Sequence, residues 1–231
     1  MNKVTIIIPT KNEAESLKVL LSEINNLHFK DIIYETIIVD ANSTDGTHEI
    51  AKKYQCKIII EKEKKGYVSA IIEGINNSLS KYSVILDGDG SKNPNYINDL
   101  FKAIEKRNDD FIFASRYGKN SGSDDDTLLT HFGNRVFTNL GKLMFNIKIN
   151  DILHTFFICK TDEFKKLNFE YNDFSFCSEL PILINRLKMP HSEIPTHERK
   201  RIAGKVKVNS YIDGFIILKS MINLFFKKKW K

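Results

Sequence analysis

The sequence predicts an α/β fold built on a mostly parallel sheet covered by helices on both faces. Short β-branched runs alternate with helical-period segments through the first half of the 231 residues. The runs are almost continuously apolar, as strands buried on both faces are. A content of 42% hydrophobic and 28% charged residues suits one ordinary folded domain and excludes disordered, collagen-like and coiled-coil chains.

The first strand is read at Val4–Ile8, and Leu17, Leu20, Leu21 and Ile24 then recur at helical spacing. Strands follow at Glu35–Val39 and Lys57–Ile60, with Ile50 and Tyr54 marking the helix between them, and again at Ser83–Leu86 and Phe111–Ala114. The second half is less regular. Gly118 to Asp126 reads as a Gly-, Ser- and Asp-rich loop expected to be mobile, Leu128 to Phe145 as a pair of helices, and Thr155–Cys159 as a strand. Neither an internal repeat nor a linker divides the chain.

A parallel sheet binds ligands beyond the carboxyl ends of its strands. Here those ends carry Pro9-Thr10-Lys11-Asn12-Glu13, then Asp40 through Thr47, then Asp87-Gly88-Asp89-Gly90-Ser91, then Ser115-Arg116-Tyr117. In Asp87-Gly88-Asp89 two carboxylates flank one small residue, an arrangement that can present hard oxygens to Mg²⁺ or Mn²⁺ completed by phosphate oxygens. An isolated triplet of this kind is more often a turn; its place after a buried strand, beside three other polar strand ends, favours the metal. Asp40 to Thr47 reads as an Asx-type turn running into a helix, with Ser43 or Thr44 capping, Asp45 favouring the dipole and Asp40 pointing into the crevice.

Cys56, Cys159 and Cys177 are widely spaced and odd in number, so they read as reduced, mostly buried residues rather than a disulfide or zinc framework. Met1-Asn2-Lys3 runs straight into the first strand with no signal-like segment, and a cytoplasmic chain is expected. His28, His48 and His191 are read as surface residues, and no convincing His–carboxylate pair is evident. The net charge of +6 is uneven: Glu198 to Lys231 holds ten basic and two acidic residues, a net +8, and everything before it sums to −2.

Ile7-Ile8-Pro9-Thr10-Lys11-Asn12-Glu13, Val39-Asp40 leading to Ser43-Thr44-Asp45-Gly46-Thr47, and Leu86-Asp87-Gly88-Asp89 together resemble family 2 glycosyltransferases of the GT-A fold. Ser115-Arg116-Tyr117, Phe132-Gly133-Asn134-Arg135, Asp151 followed by Thr155-Phe156-Phe157, and Arg201 through Lys207 are similar in order and spacing to the dolichyl-phosphate mannose synthase-like branch. The resemblance implies a GT-A (Rossmann-like) three-layer α/β/α sandwich over residues 1–207, with a nucleotide-sugar half (1–117) and an acceptor half (118–207). It also implies that Pro9, Thr10, Asn12, Glu13 and Asp40 line the nucleotide pocket, with Gly88 between the metal carboxylates Asp87 and Asp89. Arg201 and Lys207 would close over the diphosphate, and Arg116 and Arg135 would meet an acceptor phosphate. Departures from the pattern are Ala41, where a second acidic residue is common, Ser91, where a longer amide is common, Phe156-Phe157-Ile158-Cys159, where a small-Gly-Phe-Arg run is usual, and Val206, where serine is usual.

The implied activity is metal-dependent, inverting transfer of a sugar from a GDP- or UDP-linked donor to a polyprenyl (undecaprenyl or dolichyl) phosphate. Asp89, Asp151 and Arg201 are the candidate catalytic residues, with Asp151 as base if the acceptor is instead a saccharide hydroxyl in surface-polysaccharide synthesis. A membrane-associated nucleotide-sugar-binding protein without catalysis is the third reading. Residues 208–231 form the last expected element, an amphipathic helix from Tyr211 to Phe226 followed by Lys227-Lys228-Lys229-Trp230-Lys231. It is too short to span a bilayer, and it is expected either to lie on an anionic membrane at the cytoplasmic face or to dock on the core. The aromatics do not interleave with the basic residues, so nucleic acid is not an expected partner.

Overall fold

A computed structural model describes residues 2–27, 32–61, 66–204 and 210–227. In chain order the elements are β1 (Asn2–Thr10), α1 (Ala14–Asn26), β2 (Ile32–Asp40), α2 (Thr47–Lys53), β3 (Lys57–Ile60), α3 (Tyr67–Asn76), β4 (Tyr82–Ile85), α4 (Tyr96–Arg107) and β5 (Phe111–Ser115). They continue with β6 (Gly122–Ser123), α5 (Leu128–Phe145), β7 (Phe157–Lys160), α6 (Thr161–Lys165), α7 (Phe176–Arg186), β8 (His191–Pro195), β9 (His197–Glu198) and α8 (Ser210–Phe226).

Seven strands form one sheet in the order β3-β2-β1-β4-β7-β5-β8. All neighbours are parallel except β7, which runs antiparallel to both β4 and β5. The period of two along β1 explains the three layers. Val4, Ile6 and Ile8 point into a core shared with α1, α2 and α4, while Ile7 points into the opposite core, shared with α3, α6, α7 and α8. Each such side chain, fully buried, contributes roughly 1.5–3 kcal/mol. Strands β7 and β8, from residues 118–207, are built into the same sheet as β1 to β5.

The sequence reading is corrected in several places. Residues 118–126 are not a loose loop: β6 pairs with β9, and the Asp124 N–H donates to the Glu198 carbonyl at 2.8 Å. Leu128 to Phe145 is a single helix rather than a pair. Gly141, inside this helix, is a packing contact, since a Cβ there would lie 2.8 Å from Ile152 Cδ1. The strand expected at Thr155 starts at Phe157. The helix α8 docks on the core through Ile217, Met221 and Leu224, packed against α5 and α7, and Phe215 and Phe226 on its other face are exposed.

The strand order reverses between β1 and β4, and that switch point opens the crevice at the carboxyl edge. The helix α3 seals the sheet beneath it at Gly74, where a Cβ would lie 2.4 Å from Ile7 Cγ2 and 3.2 Å from Val39 Cγ2. Gly74→Ala sets a gain in helix propensity of about 1 kcal/mol against overpacking of about 1–3 kcal/mol. Because Ile7 and Val39 are branched and fixed in strands, overpacking wins, and urea unfolding should show a net loss of about 1–2 kcal/mol; an unchanged or raised midpoint would contradict this packing.

Candidate active site

The floor of the crevice is built around Asp40, whose side chain is fully buried. Its Oδ1 accepts from the hydroxyls of Thr10 (2.8 Å) and Ser43 (2.6 Å), and its Oδ2 from the Ser43 N–H (2.6 Å). Oδ2 also meets His48 Nε2 at 2.7 Å, so His48 is a partner of the site and not merely a surface residue. Burial works to raise the Asp40 carboxyl, but these donors outweigh it and leave it below its ordinary value. All four contacts come from protein, so Asp40 anchors the loop instead of pointing its oxygens into the crevice.

Neighbouring contacts finish the loop. Asn12, at φ 52°, donates its N–H to Ser43 Oγ, and its Oδ1 accepts from the Thr44 N–H. Ser43 and Thr44 therefore tie β2 to β1 and do not cap α2. The carboxylate of Asp45 accepts from the N–H of Thr47 (3.1 Å) and from that of Ala14 (2.9 Å), serving the first turns of α2 and α1 at once. The N–H of Glu13 donates to Thr47 Oγ1 at 3.0 Å.

Asp87 and Asp89 lie directly on this floor. A Cβ at Gly88 would come within 3.1 Å of the Pro9 carbonyl oxygen, so glycine lets the two loops approach closely where a side chain would press them apart. Asp87 Oδ1 accepts from the Tyr67 hydroxyl and pairs with Lys92 Nζ at 2.9 Å. Lys92, whose side chain is 1% exposed, also donates to Thr155 Oγ1 at 2.8 Å. Burial, then the charge of Asp87, raises the Tyr67 hydroxyl well above its usual value, which keeps it a proton donor. Asp89 Oδ1 accepts from the Ser91 N–H at 3.0 Å, and its Oδ2 faces Arg201 at 3.4 Å.

Burial, then the like charge of Asp87, raises the Asp89 carboxyl above its ordinary value. A carboxylate so placed gains from a nearby cation, and hard oxygen donors suit Mg²⁺ or Mn²⁺. Among the described residues no group of three His, Cys, Asp or Glu side chains is arranged to hold a metal, so a cation here would need oxygens from a ligand as well.

Arg201 reaches the crevice on a strap that follows β9. Arg199 anchors the strap through two bonds to Glu23 (2.8 and 2.6 Å), and the Ile202 N–H donates to the Asp89 carbonyl at 2.9 Å. Arg201 also pairs with Asp125 at 2.9 Å. Burial opposes its charge, but Asp125, Asp89 and Glu13 outweigh burial and hold it above its ordinary value. Lys205, Lys207, the Lys228-Lys229-Trp230-Lys231 segment and His28 lie outside the described residues.

The second cluster centres on Arg116. Its Nε donates to Asp151 Oδ2 at 2.8 Å and its Nη2 to Asp151 Oδ1 at 3.0 Å, while Nη1 meets Glu198 (3.0 Å) and Asp126 (3.5 Å). Asn134 Nδ2 donates to Asp151 Oδ1 at 2.7 Å. Burial works to raise the Asp151 carboxyl, yet Arg116 outweighs it and leaves it lowered. His154, 7% exposed, is held well below its usual value by burial and then by Arg116, and so stays neutral. Arg135 is the exposed guanidinium of this cluster: it lies over the Tyr117 ring at 5.6 Å, and no carboxylate among the described residues is within ion-pair distance. The Tyr117 hydroxyl donates to Asp126 at 2.5 Å. Asp125 on Arg201 and Asp126 on Arg116 thus join the two clusters.

Comparison with known proteins identifies this arrangement. Residues 5–167 match the family described as Glycosyl transferase family 2. The chain belongs to that family. It is 29% identical over 236 aligned residues to a dolichol-phosphate mannosyltransferase of Pyrococcus furiosus, covering 99% of this chain and 64% of that protein. It is 32% identical over 123 residues to the poly(ribitol-phosphate) beta-N-acetylglucosaminyltransferase TarP of Staphylococcus aureus, covering 51% of this chain and 37% of that protein. Glucosyl-3-phosphoglycerate synthase from Mycobacterium tuberculosis, solved with Mn²⁺, UDP and phosphoglyceric acid, shares the fold at a TM-score of 0.74 and 13% identity, covering 99% of this chain and 80% of that one. The same synthase has been solved with Mg²⁺ and UDP. The three-layer sandwich is therefore the GT-A fold, and the resemblance read from the motifs holds over nearly the whole chain.

Within that family 2 fold, Pro9, Thr10, Asn12, Glu13, Asp40, Asp87, Gly88, Asp89 and Arg201 converge on one crevice, and Arg116, Arg135 and Asp151 on the adjoining cluster. Two expectations need correction. Asp151 is fully buried with both oxygens taken, so the geometry does not offer it as a base. Arg116 spends its donors on Asp151, Glu198 and Asp126, which leaves Arg135 as the cation open to a ligand. Sequence reasoning missed Lys92, Tyr67, Asp125, Asp126 and Glu198. A single lysine three residues after Asp89 was the available signal for Lys92.

Asp151→Asn removes one charge from the Arg116 cage but leaves Asp126 and Glu198, so the loss should sit near the lower end of the roughly 3–5 kcal/mol seen for broken buried pairs. The folded carboxyl lies below its unfolded value of about 3.9, so its contribution is complete above that pH and is lost as pH falls through the folded value. Urea midpoints should show the same gap at pH 7 and pH 5, narrowing only below about pH 4. A gap that vanishes between pH 7 and pH 5 would rule out this pairing.

Proposed function

We propose that this chain is a glycosyltransferase that moves a sugar, with inversion, from a nucleotide-sugar donor to a polyprenyl phosphate. The observation that carries this reading is the joining of two unlike sites. Asp87, Asp89 and Arg201 suit a nucleoside diphosphate, while the exposed guanidinium of Arg135 continues an apolar strip on α5. Leu128, Phe132 and Arg135 fall at i, i+4 and i+7 on that helix, and the two apolar side chains are largely exposed. A charged head with an apolar tail is the ligand that such a strip would accept. The Pyrococcus relative named for dolichol phosphate supports the acceptor class, and the UDP complexes of the structural neighbour support a nucleotide-linked donor.

An acceptor phosphate oxygen bonds to the anomeric carbon as the bond from that carbon to the donor's diphosphate breaks, releasing the nucleoside diphosphate. A phosphate monoester is mostly dianionic near neutral pH, its second pKa being roughly 6, so no residue has to remove a proton. That accords with the sequestered Asp151. A saccharide hydroxyl would need a base, and the Arg116 cluster supplies none. Arg135 orients the acceptor phosphate through its planar fork, and Arg201 neutralises charge growing on the leaving diphosphate. Asp87 and Asp89 would hold Mg²⁺ or Mn²⁺, whose charge neutralises that same leaving group when bound.

Membrane contact through α8 belongs to this reading. Tyr211, Ile212, Phe215 and Phe226 are exposed on the face turned away from the core, and Lys227, which pairs with Glu170, opens the basic cluster. Among the described residues no helix is long and apolar enough to cross a membrane, so the contact would be peripheral.

Incubation with labelled GDP- and UDP-sugars, Mg²⁺ or Mn²⁺, and undecaprenyl or dolichyl phosphate should give label extractable into organic solvent. Asp89→Asn should lower the rate by about 10²–10³, as loss of one electrostatic stabiliser does; Arg135→Ala should chiefly raise the KM for the lipid phosphate. No lipid-linked product from any donor would sink the acceptor assignment, and full activity of Asp89→Asn would sink the role of the carboxylate pair. In co-sedimentation with anionic vesicles, Phe215→Glu should weaken binding by about tenfold to a hundredfold, the equivalent of the roughly 1.5–3 kcal/mol of one buried aromatic. Unchanged sedimentation would remove α8 from the contact.

A further inference from the structure

The mechanism above does not use Lys92, yet its ammonium is the most deeply buried charge beside the carboxylate pair. Its side chain is 1% exposed, and it lies 2.9 Å from Asp87 Oδ1 and 2.8 Å from Thr155 Oγ1. Tyr67, stacked against Phe174 at 6.4 Å, directs its hydroxyl onto the same Asp87 oxygen. One oxygen of Asp87 is therefore already taken by an ammonium and a phenol, which leaves Oδ2 for any ligand. Asp89 is held differently: its cation, Arg201, stands farther off at 3.4 Å and is 24% exposed, so water or a ligand can replace it. The two carboxylates carry unequal counter-charges, one built in and one exchangeable.

We propose that Lys92 is a positioning residue that fixes Asp87 and, as a built-in counter-cation, weakens divalent-metal binding to the free protein, so that the metal is held firmly only together with the nucleotide diphosphate. A permanent positive charge beside the pair repels an incoming cation and cancels part of the negative charge that would attract it. The phosphate oxygens of the donor restore that charge when they arrive, so metal and nucleotide bind with positive coupling. This inference rests on the reading of Asp87 and Asp89 as the metal pair.

The test is Mn²⁺ binding, followed by the electron paramagnetic resonance of the free ion, to the full chain with and without UDP or GDP. Lys92→Met leaves Asp87, 26% exposed, in reach of water, and is expected to tighten Mn²⁺ binding to the nucleotide-free protein by at least tenfold and to shrink the coupling with nucleotide. Thr155→Val keeps the side chain's shape and loosens the same ammonium; it should shift affinity in the same direction by a smaller factor, and it reports even if the lysine variant does not fold. Unchanged or weaker Mn²⁺ binding in these variants overturns the proposal, because a merely structural lysine would weaken the site when removed. If the wild-type protein takes up no Mn²⁺ even with nucleotide present, it is the metal reading of Asp87 and Asp89 that fails.

Discussion

Carboxylates gathered at the carboxyl edge of a parallel sheet cannot remain charged out of water unless donors or cations stand beside them, and that requirement organises this molecule. Asp40 and Asp151 are fully buried, and each meets it with four contacts from protein. Asp87 meets it with Lys92 and Tyr67, and Glu198 with Arg116 and Ser123. Among these carboxylates Asp89 is the one whose cation, Arg201, is partly exposed and stands farther off, and it follows β4, beside β1. The place with charge to spare is the place where ligand chemistry is expected.

The same accounting separates the residues that hold the site from those that could act. Arg116 looked like a phosphate ligand because it follows a strand end, but a buried guanidinium among three carboxylates is already neutralised. Its work is structural: with Asp126 it fixes Tyr117, and the ring of Tyr117 carries Arg135. Asp125 and Asp126, adjacent in sequence, pair with Arg201 and Arg116 respectively, so the segment after the short β6–β9 ladder links the crevice to the Arg116 cluster.

Legibility in the sequence followed periodicity and adjacency. The strands β1 to β5 were readable because each carries a short, largely apolar and β-branched or aromatic run, and Asp40, Asp87 and Asp89 because they stand at or just beyond the ends of those runs. The helix α7 was unreadable: most of its residues are buried, so it has no polar face to set a period, and Pro181 lies inside it. The strand β8 hides behind a histidine, a serine and a glutamate. Lys92 and the partners of Arg116 were missed for another reason. Residues distant in the chain, such as Tyr67, Thr155 and Glu198, meet only through the sheet's crossovers, and no local pattern records which carboxylate a given cation will face.

On the proposed reading, the crevice between β1 and β4 takes a nucleoside diphosphate together with a divalent cation. Thermal stabilisation by UDP, GDP and their sugar conjugates, measured with and without Mn²⁺ on the wild-type chain and on Asp89→Asn, tests it most directly. One nucleotide series should raise the melting temperature, more strongly with Mn²⁺ than without, and Asp89→Asn should abolish the Mn²⁺-dependent part. No stabilisation by either series, or a shift that is the same with and without Mn²⁺ in both proteins, would contradict it.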